Sequence, residues 1–263
     1  MAAPVRSRLA LALAAAALLA TGLGPHGEAP DDGPLVVIDP GHGGPDYGAR
    51  GASGLLEKDV VLDVARRIGV SLEAHGVQVL YTREDDRFVS LPERTELANR
   101  ERADLYLSVH ANSSDDRGAR GPETYFLSLE ASDDEARRVA LTENRVFDRA
   151  EAVPDSSDLV GAILGDLIRS EHLRASSQYA AAIQRELGRL PGPARGVKQA
   201  PFVVLTGVNM PAALLEIGFL THPEEERSLR TASHQQAIAS AVASAVARVS
   251  GARAATEQPE ATP

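Results

Sequence analysis

Cysteine is absent from all 263 residues. That excludes disulfides, a thiolate nucleophile, a Cys-ligated metal and a lipidated-cysteine anchor, so any metal must rest on His, Asp or Glu. Aromatic residues make up only 4% against 43% hydrophobic residues overall; the core must therefore be built from Ala, Val, Leu and Ile, as in helices packed on a buried sheet. Positive charge is scarce as well. With 27 Lys and Arg against 37 Asp and Glu the formal net charge is -10, and no concentrated basic face exists to displace counterions from phosphates, so a nucleic-acid partner is not expected. Long apolar runs are limited to Leu9–Ala20, shorter than the roughly 20 residues that span a bilayer.

What is present begins with that run. Arg6 and Arg8 precede it, and Thr21, Gly22 and Gly24 follow it, the pattern of a signal peptide over residues 1–24, with an uncleaved anchor as the alternative. An exported protein of the periplasm or cell envelope is expected. Residues 25–34 read as a Pro- and Gly-rich linker, 35–250 as one catalytic-size domain, and 251–263, with low hydrophobicity and two prolines, as a disordered tail.

Within the domain, Leu35–Ile38 reads as a strand buried on both faces and is followed by a glycine-rich loop, Gly41–Gly54. Val61, Val64, Ala65, Ile68 and Leu72 recur at helical spacing, closed by Gly76. Val77–Tyr81 alternates as a strand, Pro92–Glu101 opens as a short helix through its proline, and Leu105–Val109 alternates again. Strand, helix, strand, helix, strand predicts an α/β fold around a parallel sheet. Further strands are expected at Thr124–Leu127, Phe202–Leu205 and Ala213–Ile217, and a last helix near Gln235–Val249. Between them, Glu130–Leu190 reads as two or three helices broken at Pro154 and the Asp155–Asp158 cluster.

Four side chains are chemically out of place. His42 lies just past the first strand between glycines, Glu57 heads a helical stripe that should face the sheet, and His110 ends the third strand on the face opposite Leu105, Leu107 and Val109. A solvated loop histidine, a dipole-favoured first-turn glutamate and a hydrogen-bonded strand-end histidine are the respective alternatives. Taken together they favour one crevice, because the carboxyl ends of neighbouring parallel strands converge. Two His and one Glu form a catalytic zinc set with a fourth position open. Glu216 interrupts an otherwise apolar strand; a general base is one explanation, a salt bridge to Lys198 or an arginine the other.

The strings VVIDPGHGGPDYGARG from Val36, LLEKDV from Leu55, SVHANSS from Ser108, RGVKQAPFVVL from Arg195 and PAALLEIGFLTHPEE from Pro211 resemble, in order, the Amidase_3 family of N-acetylmuramoyl-L-alanine amidases. The resemblance runs from about Leu35 to about Val249. It implies a single α/β domain with a mostly parallel or mixed sheet of about six strands surrounded by helices, one Zn2+ held by His42, Glu57 and His110, and a catalytic Glu216. The implied activity is hydrolysis of the amide between N-acetylmuramic acid and L-alanine of peptidoglycan, in wall remodelling or daughter-cell separation.

The segment 130–190 is longer than a crossover requires, since about 12 residues suffice. In division amidases of this family a helical insert plugs the site with a glutamate on the zinc, and the string LTENR makes Glu143 the matching inhibitory ligand, an ordinary surface glutamate being the alternative. That resemblance also implies an envelope activator of the LytM type. The acidic, Leu-containing helix Asp158–Ile168 is the candidate contact for such a partner, ordinary packing being the alternative. A monomer is expected. A non-catalytic wall-binding or scaffolding module, or a zinc peptidase acting on wall peptides, remain the rival readings.

Overall fold

The computed structural model describes residues 33–149 and 170–251. The leader, the 150–169 stretch with Pro154 and the whole of the Asp158–Ile168 segment, and the tail beyond Gly251 lie outside the described residues. No described helix is long and apolar enough to cross a membrane.

The first strand, β1 (Leu35–Pro40), and the first helix, α1 (Glu57–Glu73), are joined by the glycine-rich loop. Burial of Val60, Val61, Val64, Ala65, Ile68 and Leu72 on one side of α1 is what its periodicity requires. The helix ends where Gly76 takes φ 74°, while the Gly76 and Val77 N–H groups bond back to Glu73 and Leu72 carbonyls. Next come β2 (Gln78–Tyr81) and α2 (Leu91–Arg100). The start of α2 is a capping box: Ser90 Oγ accepts from Glu93 N–H and the Glu93 carboxylate accepts from Ser90 N–H.

The chain continues through β3 (Leu105–Asn112), β4 (Glu123–Leu127), α3 (Asp134–Arg149), α4 (Ser170–Leu187), β5 (Val197–Ala200), α5 (Val203–Thr206), β6 (Ala212–Phe219), α6 (Pro223–Leu229) and α7 (Ala232–Val249). Six strands form one sheet in the order β2-β1-β3-β6-β4-β5. Strands β1, β2, β3 and β6 run parallel, as the alternation of elements predicts, whereas β4 is antiparallel to β6 and carries β5 parallel to itself. The amino ends of β4 and β5 therefore lie at the same edge as the carboxyl ends of β1, β3 and β6.

Both faces are covered. Val36, Ile38, Leu107, Val109, Leu215 and Ile217 face α1, α4 and α7. Val37, Tyr106, Tyr125, Ala212 and Leu214 face α2, α3 and α5. Alternation along β3 and β6 puts His110 and Glu216 on this second face.

One expected strand is corrected. Phe202–Leu205 is not extended: Val203–Thr206 forms the short helix α5, and the fifth strand is the more polar Val197–Ala200. Pro201 ends the strand; Asn144 of α3 accepts from Val203 N–H and donates to the Pro201 carbonyl, both at 2.9 Å. The apolar run Phe202, Val204 and Leu205 is buried under the sheet rather than in it. The polar letters of β5 suit an edge strand, with Lys198 neutralised by carboxylates. Helix α6 was not anticipated from the sequence, and α7 begins three residues earlier than expected, capped by Thr231 Oγ1.

Candidate metal centre

His42 projects from the loop after β1 with φ 59°, a left-handed conformation uncommon for a side-chain-bearing residue. Two buried arginines hold that loop. Arg94 of α2 donates to the Pro40 and His42 carbonyls at 2.8 Å each, and Arg83 donates to those of Pro40 and Gly41 at 3.0 and 2.7 Å. The charge of Arg94 is met by buried Asp39 at 2.6 Å, which also accepts from Thr82 and Ser108. Burial pushes Asp39 up, but the Arg94 guanidinium and the donated hydrogen bonds outweigh it and bring the carboxyl down to about 2. Glycine is required beside the centre: a Cβ on Gly41 would lie 2.4 Å from the His110 ring, and one on Gly48 2.5 Å from the Glu57 carboxylate.

Glu57, in the first turn of α1, is turned into the crevice by backbone donors, Ala49 N–H at 2.7 Å and Ala111 N–H at 2.9 Å. His110, on β3, sits directly across from Glu216 on β6 in the sheet register. Glu143 reaches the same crevice from α3. Ligand-type atoms of His42, Glu57, His110 and Glu143 all lie within 4.8 Å of one another. The close pairs are His42 Nε2 to Glu57 Oε1 at 3.0 Å and to Glu143 Oε2 at 3.2 Å, and His110 Nδ1 to the same oxygens at 3.1 and 2.9 Å.

These contacts are not an ordinary hydrogen-bonded cluster. His42 Nε2 and Glu143 Oε2 are buried without a properly aligned partner despite their short distances, and such orphaned polar atoms are costly. Four converging nitrogen and oxygen atoms from two imidazoles and two carboxylates match a cation site. The outer contacts fit too: Asp46 accepts from His42 Nδ1 at 2.9 Å, fixing which ring nitrogen faces the crevice. The cluster is thus compatible with a metal ion.

Charge follows this geometry. Burial pulls His110 down, but Glu143 and then Glu57 more than reverse it, pushing the imidazole up to about 10; His42 is likewise raised, burial being outweighed by Glu57 and its carboxylate hydrogen bonds. Glu57, opposed by burial, is held far below the carboxylate range by both imidazoles. Glu216 goes the other way. Fully buried, with neither oxygen hydrogen-bonded, it is raised well above its usual value by burial first and the Glu143 charge second. The salt bridge considered for it is not formed: Lys198 pairs with Glu123, Asp133 and Glu135.

A cavity of about 250 Å3 lies on one side of Glu143, bordered by His42, Gly48, Glu57 and Ala111, and another of about 320 Å3 on its other side, bordered by Asn112, Ser114, Arg138 and Thr221. Glu143 lines both.

The model of the Amidase_3 family, N-acetylmuramoyl-L-alanine amidase, matches residues 36–248. The chain belongs to that family. It is 37% identical over 215 residues to the N-acetylmuramoyl-L-alanine amidase AmiA of Escherichia coli, covering 81% of this chain and 74% of AmiA. AmiC of Neisseria meningitidis is 38% identical over 218 residues, which are 82% of this chain and 52% of AmiC. Among solved structures, the amidase AmiC2 of Nostoc punctiforme superposes with a TM-score of 0.58 at 32% identity, covering 82% of this chain and 96% of that one.

Within this amidase family member, four of the five residues singled out from the sequence, His42, Glu57, His110 and Glu143, converge on one crevice, and Glu216 lies beside His110 in the sheet register. Sequence reasoning missed the support around them. Arg83 and Arg94 sit in charged, surface-like strings, and Asp39 was noted only as part of the loop motif; only Asp46, four residues after His42, carried a local signal.

Proposed function

We propose that the chain is a zinc-dependent hydrolase that cuts the amide between the lactyl group of N-acetylmuramic acid and L-alanine of peptidoglycan. The observation that carries this reading is the meeting of His42, Glu57 and His110 around orphaned donor atoms, with the partnerless carboxylate of Glu216 across from them. His42 Nε2, Glu57 Oε1 and His110 Nδ1 would hold the ion. Zinc, when bound, supplies Lewis acidity toward a carbonyl oxygen and toward water. Glu216 takes a proton from the attacking water and returns it to the departing nitrogen of L-alanine, so the C–N bond breaks, the hydroxyl stays on the lactyl carbon and no enzyme-bound acyl group forms.

Glu143 is the fourth, inhibitory ligand. Seated against both imidazoles, it fills the position that substrate needs, and α3 divides the cleft. Activity then requires withdrawal of α3, the work of an envelope activator of the LytM type. The positively charged and apolar leader supports export to the periplasm or envelope, where the substrate lies, and a role in wall remodelling or daughter-cell separation.

Metal analysis of the purified chain combined with mass spectrometry of digested sacculi tests the reading. One zinc per chain and intact stems beginning with L-alanine are expected. Internal stem fragments would replace the amidase by a peptidase, and absence of both zinc and product would leave only a wall-binding module.

A further inference from the structure

The same helix that carries Glu143 makes a second ionic contact at the sheet edge. Glu135, two turns earlier on α3, pairs with Arg195 and, at 2.7 Å, with Lys198, while Asp133 lies 3.5 Å from Lys198. On their other side both cations meet buried Glu123, Arg195 Nε at 2.6 Å and Lys198 Nζ at 2.9 Å. Glu123 is fully committed, since its second oxygen accepts from Tyr125 and Asn112. Arg195 is further steadied over the Phe219 ring at 5.1 Å.

Topology puts this pair on the sheet face that carries His110 and Glu216. Glu123 is the register partner of Glu216, and Lys198 that of Tyr125, on the face covered by α3. If α3 leaves, as the reading of Glu143 requires, Glu135 leaves with it, and only Asp133, just before the helix and 3.5 Å from Lys198, stays near. Two cations then face one buried carboxylate, and the uncompensated charge opens toward the track that α3 vacated.

We infer that Arg195 and Lys198 are a carboxylate-binding subsite for the peptide stem of the substrate, with Glu135 standing in for that carboxylate while α3 is seated. The inference rests on α3 acting as a displaceable plug. The glycan offers no free anion once its lactyl group is amidated, so the charge must come from the stem. Glu135 and Glu143 are eight residues apart, about 12 Å along a helix at 1.5 Å per residue. An extended stem covers that distance in three to four residues at about 3.4 Å each. That span reaches the third or fourth residue of the stem, and the group assigned to the subsite is an acidic side chain on the third.

The test uses the full chain carrying Glu143→Ala and Glu135→Gln, which frees both cations of their α3 partner, and two muramoyl tripeptides with L-alanine first and D-isoglutamine second. Both end in a carboxamide, and they differ only in whether the third residue, diaminopimelic acid, bears a free side-chain carboxylate or a carboxamide. Loss of a charge-assisted contact should raise KM about ten-fold for the carboxamide with kcat little changed. Lys198→Gln should bring the free acid to the carboxamide's KM and abolish the difference. Calorimetry with the corresponding stem tripeptides, lacking the sugar, should show the same preference and does so whether or not any bond is cut. Equal KM values or equal peptide affinities in the Lys198-containing chain overturn the inference. Peptide preference without turnover would instead strike at the amidase reading.

Discussion

The unusual backbone of His42 is paid for by a buried cation. Its carbonyl, and that of Pro40, are held by Arg94, and Arg94 is neutralised by Asp39. This arrangement ties stability to acid pH. The Asp39 pKa is depressed in the fold, so its contribution is complete above the unfolded value of 3.8 and is lost as pH falls through about 2. A shift of nearly two units corresponds to about 2 kcal/mol. Urea unfolding followed between about pH 4 and pH 2 should accordingly be less pH-dependent in Asp39→Asn than in the unsubstituted chain; parallel slopes would show that Asp39 is not the group responsible. Glu216 makes a separate prediction. Glu216→Gln keeps the shape but cannot accept a proton, so turnover should fall by a factor of about 10² to 10⁴ with zinc content unchanged. Substantial residual turnover in a zinc-loaded variant would remove Glu216 from the mechanism.

At the scale of elements, α3 carries Glu143, which lines both cavities. On the reading proposed above Glu143 competes for the crevice, and its charge adds to burial in raising the pKa of Glu216. Glu143→Ala should raise activity without any partner by about 5- to 100-fold, the span of a typical coupling energy, and should move the acidic limb of the kcat/KM profile to lower pH. Unchanged basal hydrolysis would mean that α3 is packing rather than a plug. The exchange of roles between β5 and α5 belongs to this scale too. Propensity favours Phe202–Leu205 as the strand, yet the buried end of the sheet edge is completed by Val197–Ala200, and Asn144 of α3 pins the start of the short helix.

For the whole molecule, the ion expected at the centre is part of the folding balance. Without it, both imidazoles gain carboxylate partners, and His110 is pushed up to about 10. Its folded pKa lies above the unfolded one, so in the metal-free chain this ion pairing stabilises fully below about 6.5 and fades as pH rises toward about 10. Zinc needs neutral imidazoles, so loading at pH 7 should release protons, up to two per ion. Calorimetry in buffers of different ionisation enthalpy counts them, and a count of zero would contradict a centre built on His42 and His110. Chelation should also lower the melting temperature, since zinc held at a thousandfold excess over its Kd stabilises by about 4 kcal/mol.

Much was legible before folding was considered. A continuous apolar run marked β1, alternation marked β3, an apolar run broken by Glu216 marked β6 and helical spacing marked α1, and His42, Glu57, His110, Glu143 and Glu216 each stood out because a polar residue occupied an apolar pattern or a recurrent string. Those features are local in the chain, and the physics that creates them, periodic burial and the cost of an unpaired charge, acts residue by residue. The tertiary structure alone decided the rest. Reversal of β4 and β5 brings Arg195 and Lys198 to the edge where His110 and Glu216 already lie, and Arg83 and Arg94, set in charged strings, join Asp39 in a buried scaffold. Pairing between charges is set by distance across the fold, and spacing along the chain carries no record of it.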